Sequence, residues 1–232
     1  MRNKIDKNHI KQYYNKEEYI KDAAGFATND YNNRIRLVTR FIELKKISNI
    51  VELGCGAGIL RDIHRNYIGL DISENAIKKL KNAKCCDIGE NIPLEAKSAD
   101  AIISFNTLEH ITSPDRTLEE CARIIRPGGR IIFQEAFNVR RGSRMYHTIR
   151  VLCLRLLSFF SNIILNKKKL SYFRIRPDYT KIGGDYDACS QVDPYAIYLW
   201  SMRRGFRCLN KKNMLSGIFW KDNFIALEKM RS

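Results

Sequence analysis

Short apolar runs recur along the chain and alternate with segments of mixed polarity. They lie at residues 50–53, 67–71, 83–86, 99–105 and 130–134. Runs of this length are typical of strands that are buried on both faces of a parallel sheet. The segments between them include a helix predicted at 115–125. This alternation predicts an α/β fold built on a parallel sheet.

The first apolar run leads directly into a glycine-rich turn. Gly54, Gly56 and Gly58 stand on alternate residues, and residues 59–64 look like the start of a helix. Glycine lets a backbone approach a ligand closely, and a helix start offers free N–H groups, so we expect a nucleotide-cofactor site here. Ile59 stands where a dinucleotide-binding motif has its last glycine, which argues against NAD or FAD.

Carboxylates follow the next two apolar runs. Asp71 comes 17 residues after Gly54, close to the ~20-residue offset at which an acid meets a ribose diol in Rossmann-like sites. Ser73 is placed to cap a helix that carries Ile77 on its apolar face. Asp87 follows the third run. The glycine turn, Asp71 and Asp87 each follow one of three successive apolar runs. This common arrangement favours a cofactor site over three unrelated structural turns.

In this order and spacing, the motifs resemble the class I S-adenosylmethionine-dependent methyltransferases. The resemblance covers residues 48–136 and includes the segments ELGCGAG, LEHI and RIIRPGGRIIF. It implies a Rossmann-like α/β fold, with a seven-stranded, mostly parallel sheet, helices on both faces, and a closing antiparallel hairpin from 206–209 and 223–228. It also implies S-adenosylmethionine as the cofactor. The cofactor-binding residues that it implies are Glu52, Gly54, Cys55, Gly56, Gly58, Asp71, Ile72, Asp87, Ile88, Phe105 and Asn106.

The same resemblance implies a role for each of these positions. Glu52 and the glycines shape the pocket for the methionine part of the cofactor. Asp71 binds the ribose hydroxyls, and Asp87, with the backbone that follows it, reads the adenine edge. Phe105 and Asn106 lie beside the sulfonium.

The chain divides into four segments around this core. We expect an N-terminal helical lid at 1–47, the cofactor-binding core at 48–136, a helical insertion after the fifth strand at 137–193, and a C-terminal helix and hairpin at 194–232. The first residues have no apolar stretch typical of a signal peptide. The seven cysteines show no metal-binding spacing, so we expect reduced thiols and a cytoplasmic protein.

The insertion carries most of the net positive charge. Residues 140–181 contain eleven Lys and Arg and one acid, which is +10 of the chain's +16. Residues 145–165 predict one strongly apolar helix with a narrow polar stripe, and its uninterrupted apolar stretch is too short to span a bilayer, which needs ~20 residues. Such a helix packs under a lid, joins a homodimer, or lies at a membrane interface. The basic surface favours an anionic partner and peripheral contact with the inner face of the membrane.

Three side chains are candidates for acid–base chemistry. Methyl transfer to a hydroxyl needs proton removal, and His110 follows the fourth strand next to the expected sulfonium position. Asp185 and Asp187 are alternatives, either as bases or as residues that shape a glycine turn. Some quinone O-methyltransferases that resemble this segment carry a metal-binding glutamate where this chain has Asn106, so we expect no metal.

Two classes of acceptor remain open. A DxDA motif, an Asp-Pro helix start and a Gly-Phe strand resemble methyltransferases encoded with surface-glycan and lipid biosynthesis, which implies O-methylation of a sugar or a lipid-linked precursor. Charge alone favours a nucleic-acid methyltransferase, but Phe105-Asn106-Thr107-Leu108 lacks the NPPY-type loop used for base flipping. A catalytically silent cofactor-binding partner is a third alternative.

Overall fold

A computed structural model describes residues 7–134, 144–183, 185–211, 214–215, 219–220 and 223–231. Its strands are β1 Ile50–Leu53, β2 Tyr67–Asp71, β3 Ala83–Cys85, β4 Ala99–Phe105, β5 Ile125–Gln134, β6 Phe173–Arg174, β7 Ser190–Gln191, β8 Phe206–Cys208, β9 Met214–Leu215, β10 Phe219–Trp220 and β11 Phe224–Lys229. Its α-helices are α1 Lys7–Tyr14, α2 Glu17–Asn29, α3 Tyr31–Phe41, α4 Glu74–Ile77, α5 Pro114–Ile124, α6 Arg144–Phe159 and α7 Pro194–Met202.

Within the described residues, seven strands form the central sheet, in the order β3-β2-β1-β4-β5-β11-β8. The first five strands run parallel, and β11 is antiparallel to both β5 and β8. This arrangement confirms the expected Rossmann-like fold and its antiparallel closing pair. Two short ribbons, β6–β7 and β9–β10, lie outside the main sheet.

Helices cover both faces of the sheet because the strands alternate their side chains between two apolar cores. On one face Leu37 and Val38 of α3 pack against Ile103 of β4. On the other face α5 and α7 pack against Ile102 and its neighbours. Pro194 begins α7, and the Asp193 carboxylate accepts a hydrogen bond from Tyr195 N at 2.7 Å, which confirms the predicted Asp-Pro helix start.

Several element boundaries differ from the sequence prediction. The glycine turn is followed only by a single 3₁₀ turn, Arg61–Ile63, instead of a helix over 59–64. The fifth strand begins at Ile125 rather than at 130, because positive φ at Gly128 lets the backbone pass through the Pro-Gly-Gly segment without ending the strand. The third strand ends at Cys85, and α7 ends at Met202.

The apolar helix of the insertion is present, but its last turn is π-helical, over Phe160–Ile164. Leu165 N donates to Phe160 O, five residues earlier, at 2.7 Å. Within the described residues, no helix is long and apolar enough to cross a membrane. The first residues of the insertion, 137–143, lie outside the described residues.

Candidate functional site

A cavity of about 1190 Å³ opens at the carboxyl ends of the central parallel strands. Its walls come from the strand ends, from α1 to α3, and from the segment at 183–187. Sites for a single small ligand usually measure ~300–1,000 Å³. The cavity is slightly larger than this range.

The glycines after β1 serve different purposes. Gly54, Gly56 and Gly58 have φ of 65°, 51° and 70°. A Cβ on Gly54 would lie 2.4 Å from Thr107 Oγ1, and one on Gly58 would lie 2.6 Å from the Leu80 methyl groups. A Cβ on Gly56 would meet nothing within 4 Å. Gly54 and Gly58 thus allow close packing, whereas Gly56 leaves open space.

Asp71, at the end of β2, is fixed by the same turn. Its Oδ2 accepts a hydrogen bond from Gly56 N at 2.7 Å, and its Oδ1 accepts one from Ser73 N at 2.9 Å. Burial raises the pKa of this carboxyl, while the backbone donors act in the opposite direction. Asp71 and Ile72 both line the cavity. Ser73 Oγ accepts from Ala76 N, which confirms the predicted cap of α4.

Asp87 and Ile88, just beyond β3, line the neighbouring part of the cavity. Asp87 Oδ1 accepts from Gly89 N at 2.9 Å, which holds the carboxylate in the turn. Ile88 is buried and provides apolar surface beside it. The expected adenosine-side residues Asp71, Ile72, Asp87 and Ile88 therefore lie along one wall.

A buried carboxylate and a buried cation lie near the end of β1. Glu52 is 3% exposed and accepts a hydrogen bond from the Tyr67 hydroxyl. Burial raises the pKa of Glu52 to about 7, although the Tyr67 hydroxyl and Arg34 act to lower it. Arg34 of α3 also lines the cavity, and its guanidinium lies 5.1 Å from the centre of the Phe105 ring.

Sequence reasoning missed Arg34. The arginine lies three and four residues before Leu37 and Val38, on the buried face of α3. Its Nε is 3.3 Å from Asp30 Oδ2. An arginine on the apolar face of an amphipathic helix was the available signal, because a buried guanidinium needs a partner.

His110 and Asp187 form an ion pair at the other side of the cavity. His110 Nδ1 lies 3.0 Å from Asp187 Oδ2, and the two side chains are only 18% and 4% exposed. Burial by itself would lower the pKa of His110, but Asp187, with Glu109 and Asp185, raises it to about 9. Burial would likewise raise the pKa of Asp187, but His110 holds it below its usual value. The imidazole is therefore charged at neutral pH.

Two tyrosines from the N-terminal helices complete this side. Tyr14 and Tyr19 line the cavity. Burial raises the pKa of both hydroxyls, and the nearby charge of Asp187 raises it further. Asp185 also lines the cavity and has φ of 57°. The three predicted catalytic candidates, His110, Asp185 and Asp187, thus face the same space.

Amide side chains line the cavity near the ends of β4 and β5. Gln134 is 4% exposed, and its Nε2 donates to Asp30 Oδ2 at 3.2 Å. Its Oε1 has no hydrogen-bond partner among the described residues. Asn106, which has φ of 51°, and Asn223 lie in the same wall. These groups offer donors and acceptors to a ligand with several hydroxyls.

The cavity is acidic although the protein is basic. Among the described residues, seven carboxylates line it, against Lys21, Arg34 and His110: Asp22, Asp30, Glu52, Asp71, Asp87, Asp185 and Asp187. No described residue between 144 and 181 belongs to its wall. The described part of the basic segment therefore does not line the reaction chamber. In the part of the chain that the structure describes, no cluster of three His, Cys, Asp or Glu could hold a metal ion.

Comparison with known protein families matches the segment that carries the glycine turn and the acids at the ends of β2 and β3. The methyltransferase domain family matches residues 51–133. Residues 51–133 are a methyltransferase domain. S-adenosylmethionine is the cofactor of this domain.

The chain is also similar to individual proteins. The chain is 31% identical over 114 residues to the ubiquinone biosynthesis O-methyltransferase of Coxiella burnetii, covering 43% of this chain and 48% of the relative. It is 32% identical to an uncharacterized protein of Methanocaldococcus jannaschii, covering 53% and 59%. The chain thus spans about half the length of these relatives. An S-adenosylmethionine-dependent methyltransferase from Archaeoglobus fulgidus has the same fold, with a TM-score of 0.53, 15% identity, and 86% and 92% coverage.

The methyltransferase domain presents groups that fit this cofactor. The open space above Gly56 admits a ligand close to the backbone. Carboxylates at the ends of β2 and β3 suit a ribose diol and an adenine amino group. Near β1, Glu52 and Arg34 offer opposite charges, which suit the amino and carboxylate groups of a methionine tail.

Proposed function

We propose that the protein transfers a methyl group from S-adenosylmethionine to a hydroxyl of its acceptor. When bound, the cofactor supplies a methyl group already activated on a sulfonium. The protein then has to position the acceptor, exclude water and take up a proton. The observation that carries the proposal is the His110–Asp187 pair, 3.0 Å apart and facing the cavity beside the cofactor residues.

In this proposal His110 removes the hydroxyl proton. Asp187 orients the imidazole through Nδ1. Nε2, which lies 3.9 Å from Glu109 Oε1, is the nitrogen left to take the hydroxyl proton. Because the pKa of His110 is about 9, the imidazole must first lose a proton to act as a base. A bound cation nearby favours that loss by repulsion. Asp185 contributes to the local negative charge.

We propose Asp71 for the ribose hydroxyls, Asp87 for the adenine amino group, and Gly54, Cys55, Phe105 and Asn106 for the walls around the methionine. Arg34 is added to this set as the partner of the methionine carboxylate. Gly58 acts indirectly, since it lets the turn pack on Leu80.

The acceptor that this cavity suits best is a sugar or a lipid-linked glycan precursor. Oε1 of Gln134, which has no hydrogen-bond partner among the described residues, and the nearby amides of Asn106 and Asn223 match a polyhydroxyl ring. The excess of carboxylates disfavours a phosphate inside the chamber. An anionic or lipid part of the acceptor would remain outside, where the basic segment offers a peripheral membrane contact.

An oxygen acceptor is also the chemistry named for one relative, the ubiquinone biosynthesis O-methyltransferase of Coxiella burnetii. A second candidate is an RNA methyltransferase. The mouse tRNA (carboxymethyluridine(34)-5-O)-methyltransferase ALKBH8 is 28% identical over 137 residues, although these cover only 20% of that protein. The charge of +16 favours this alternative, whereas the acidic cavity disfavours it.

Two experiments test the proposal. In titration calorimetry, both S-adenosylmethionine and its demethylated product should bind. Asp71→Ala should weaken both by about 10- to 100-fold, because a charged hydrogen-bond partner is lost. Asp62→Ala, at an exposed carboxylate on the neighbouring 3₁₀ turn, is the control. Absence of binding by the wild-type protein would contradict the proposal.

The acceptor class is tested with methyl-labelled cofactor. We expect label in a lipid-linked glycan fraction of cell extract and none in purified total RNA. His110→Ala should lower this transfer by at least tenfold while leaving cofactor affinity within about twofold. Label confined to RNA would favour the second candidate, and label in neither fraction would favour the silent cofactor-binding partner.

A further inference from the structure

Over residues 155–162, helix α6 and the turn that follows it bury the polar stripe and expose most of the apolar side chains. Ser158 and Asn162 of that stripe are fully buried, and Arg155 Nε lies 3.0 Å from the buried Asp193 Oδ2. By contrast, Leu156 and Leu157 are 46% and 53% exposed. The helix is therefore inverted relative to an ordinary surface helix, whose apolar stripe faces the core.

The exposed apolar residues lie on one side of the helix. The exposed large apolar side chains of this segment are Ile149, Leu152, Leu156, Leu157, Phe159, Phe160, Ile164 and Leu165. Positions 149, 152, 156 and 160 follow helical spacing, and Phe160 begins the π-helical turn that continues the surface. With 16 residues, α6 is ~24 Å long. A continuous apolar surface of this length on a protein marks a contact site.

The charges around this face complement an anionic surface. Residues 144–177 contain no Asp or Glu. Lys167, Lys168 and Lys169 are exposed directly after the helix, and Arg174 and Arg176 are exposed beyond them. Arg203 extends the basic area, since its guanidinium contacts Asn166. An apolar strip with a basic border is the pattern of a helix that lies in the headgroup region of an anionic bilayer.

We propose that α6 and the following lysines dock the protein on an anionic lipid membrane. The apolar side chains insert among the acyl chains, and the lysines pair with lipid phosphates. The docking face does not include residues of the reaction cavity. Membrane binding and methyl transfer are therefore separable properties of the molecule.

Vesicle sedimentation of the full chain tests this proposal. We expect binding to phosphatidylcholine vesicles containing about 30% phosphatidylglycerol, weaker binding at high salt, and at least tenfold weaker binding to pure phosphatidylcholine. Replacing Lys167, Lys168 and Lys169 by Gln should weaken anionic binding by at least tenfold, since each cation near an anionic leaflet contributes about fivefold. The same replacement at the exposed Lys78, Lys79 and Lys81 is the matched control and should have little effect.

The apolar half of the proposal needs its own variant. Leu156→Gln with Leu157→Gln should abolish anionic binding without lowering thermal stability, because both side chains are already exposed. Met230→Gln, at another exposed apolar residue, is the control. Wild-type protein that ignores anionic vesicles would overturn the proposal, as would unchanged binding of the double variant. If the wild-type protein forms salt-insensitive dimers in ultracentrifugation and the double variant is monomeric, the face binds a second copy of the chain instead.

Discussion

At the scale of single residues, His110 and Glu52 line the cavity and have shifted pKa values that a titration can test. His110 is raised to about 9 and Glu52 to about 7. Perturbed groups of this kind cluster at functional sites, because they can change charge at working pH. Each of these two pKa shifts leads to a separate prediction, which can be tested without knowledge of the acceptor.

The first prediction concerns the His110–Asp187 pair. In a proton NMR titration, His110 should lose its proton near pH 9. Asp187→Asn should move this value toward the ordinary ~6.5, because the carboxylate that stabilises the imidazolium is gone. The raised pKa also means that the pair stabilises the fold fully below about pH 6.5 and loses that contribution as pH rises through about 9.

Asp185→Asn is the control for this titration. Asp185 also raises the pKa of His110, but less than Asp187 does, so the shift should be smaller. A pKa near 6.5 in the wild-type protein would show that the ion pair does not form in solution.

The second prediction concerns Glu52 and the charge of the cofactor. S-adenosylmethionine carries a sulfonium cation that its demethylated product lacks. Ionised Glu52 attracts that cation, so affinity for S-adenosylmethionine relative to the product should rise between pH 6 and pH 8. Glu52→Gln should abolish this pH dependence, as measured by calorimetry with both ligands.

Tyr67→Phe provides a check on the cause. The Tyr67 hydroxyl stabilises the Glu52 carboxylate, so its removal should raise the pKa of Glu52 and move the rise in affinity to higher pH. An unchanged midpoint would mean that another group titrates.

At the scale of elements, the glycine turn after β1 leads into the 3₁₀ turn Arg61–Ile63, where a longer helix was expected. The regular helix does not form there, yet the positive φ values of the glycines and the Asp71 hydrogen bonds hold the loop. The loop is therefore organised by packing and by a side-chain acceptor rather than by helix capping.

The third prediction compares two substitutions in this turn. Gly54→Ala should lower the unfolding temperature strongly, because its Cβ would clash with Thr107 in addition to straining a positive φ. Gly56→Ala should cost only the backbone strain, about 1 kcal/mol, but should weaken cofactor binding because the methyl group enters the open space. Thermal unfolding and calorimetry separate the two effects. Equal destabilisation by both variants would contradict this division of roles.

At the scale of the whole molecule, the N-terminal helices close the cavity over the strand ends. Tyr13 donates from its hydroxyl to Lys181 O at 2.8 Å, and Asn15 accepts from Asn75 N at 2.9 Å. The second contact lies two positions after Ser73, in the segment that carries Asp71. The N-terminal helices are thus tied both to the insertion and to the segment after β2, next to Asp71.

The fourth prediction follows from these ties. Binding of the demethylated cofactor should slow amide hydrogen exchange in α1 and α2 as well as at the strand ends, because the lid shares contacts with the occupied loop. Asn15→Ala should reduce the effect in α1 and leave it unchanged in α5, on the far side of the sheet. If the ligand leaves hydrogen exchange in α1 unchanged, these helices pack on the core without responding to the ligand and do not act as a lid.

The sequence by itself predicted the sheet, the cofactor and the acids at the ends of the second and third strands, for which cofactor binding is our proposal. Apolar runs specify buried strands, and the glycine turn with Asp71 and Asp87 is a local pattern that needs no tertiary knowledge. The predictions of a helix at 59–64 and of a fifth strand that starts at 130 were wrong, because glycine and proline allow more than one local conformation.

Only the tertiary structure decided which distant groups meet. Asp187 reaches His110 from the insertion, and Arg34 reaches Phe105 from the lid, since chain crossings and side-chain directions set these contacts. The sequence predicted that the basic charge lies beside the substrate. In the structure, the described basic residues of 144–181 do not line the cavity. The inversion of α6 could not be read from its periodicity, because a helical stripe is the same pattern whichever side the protein buries.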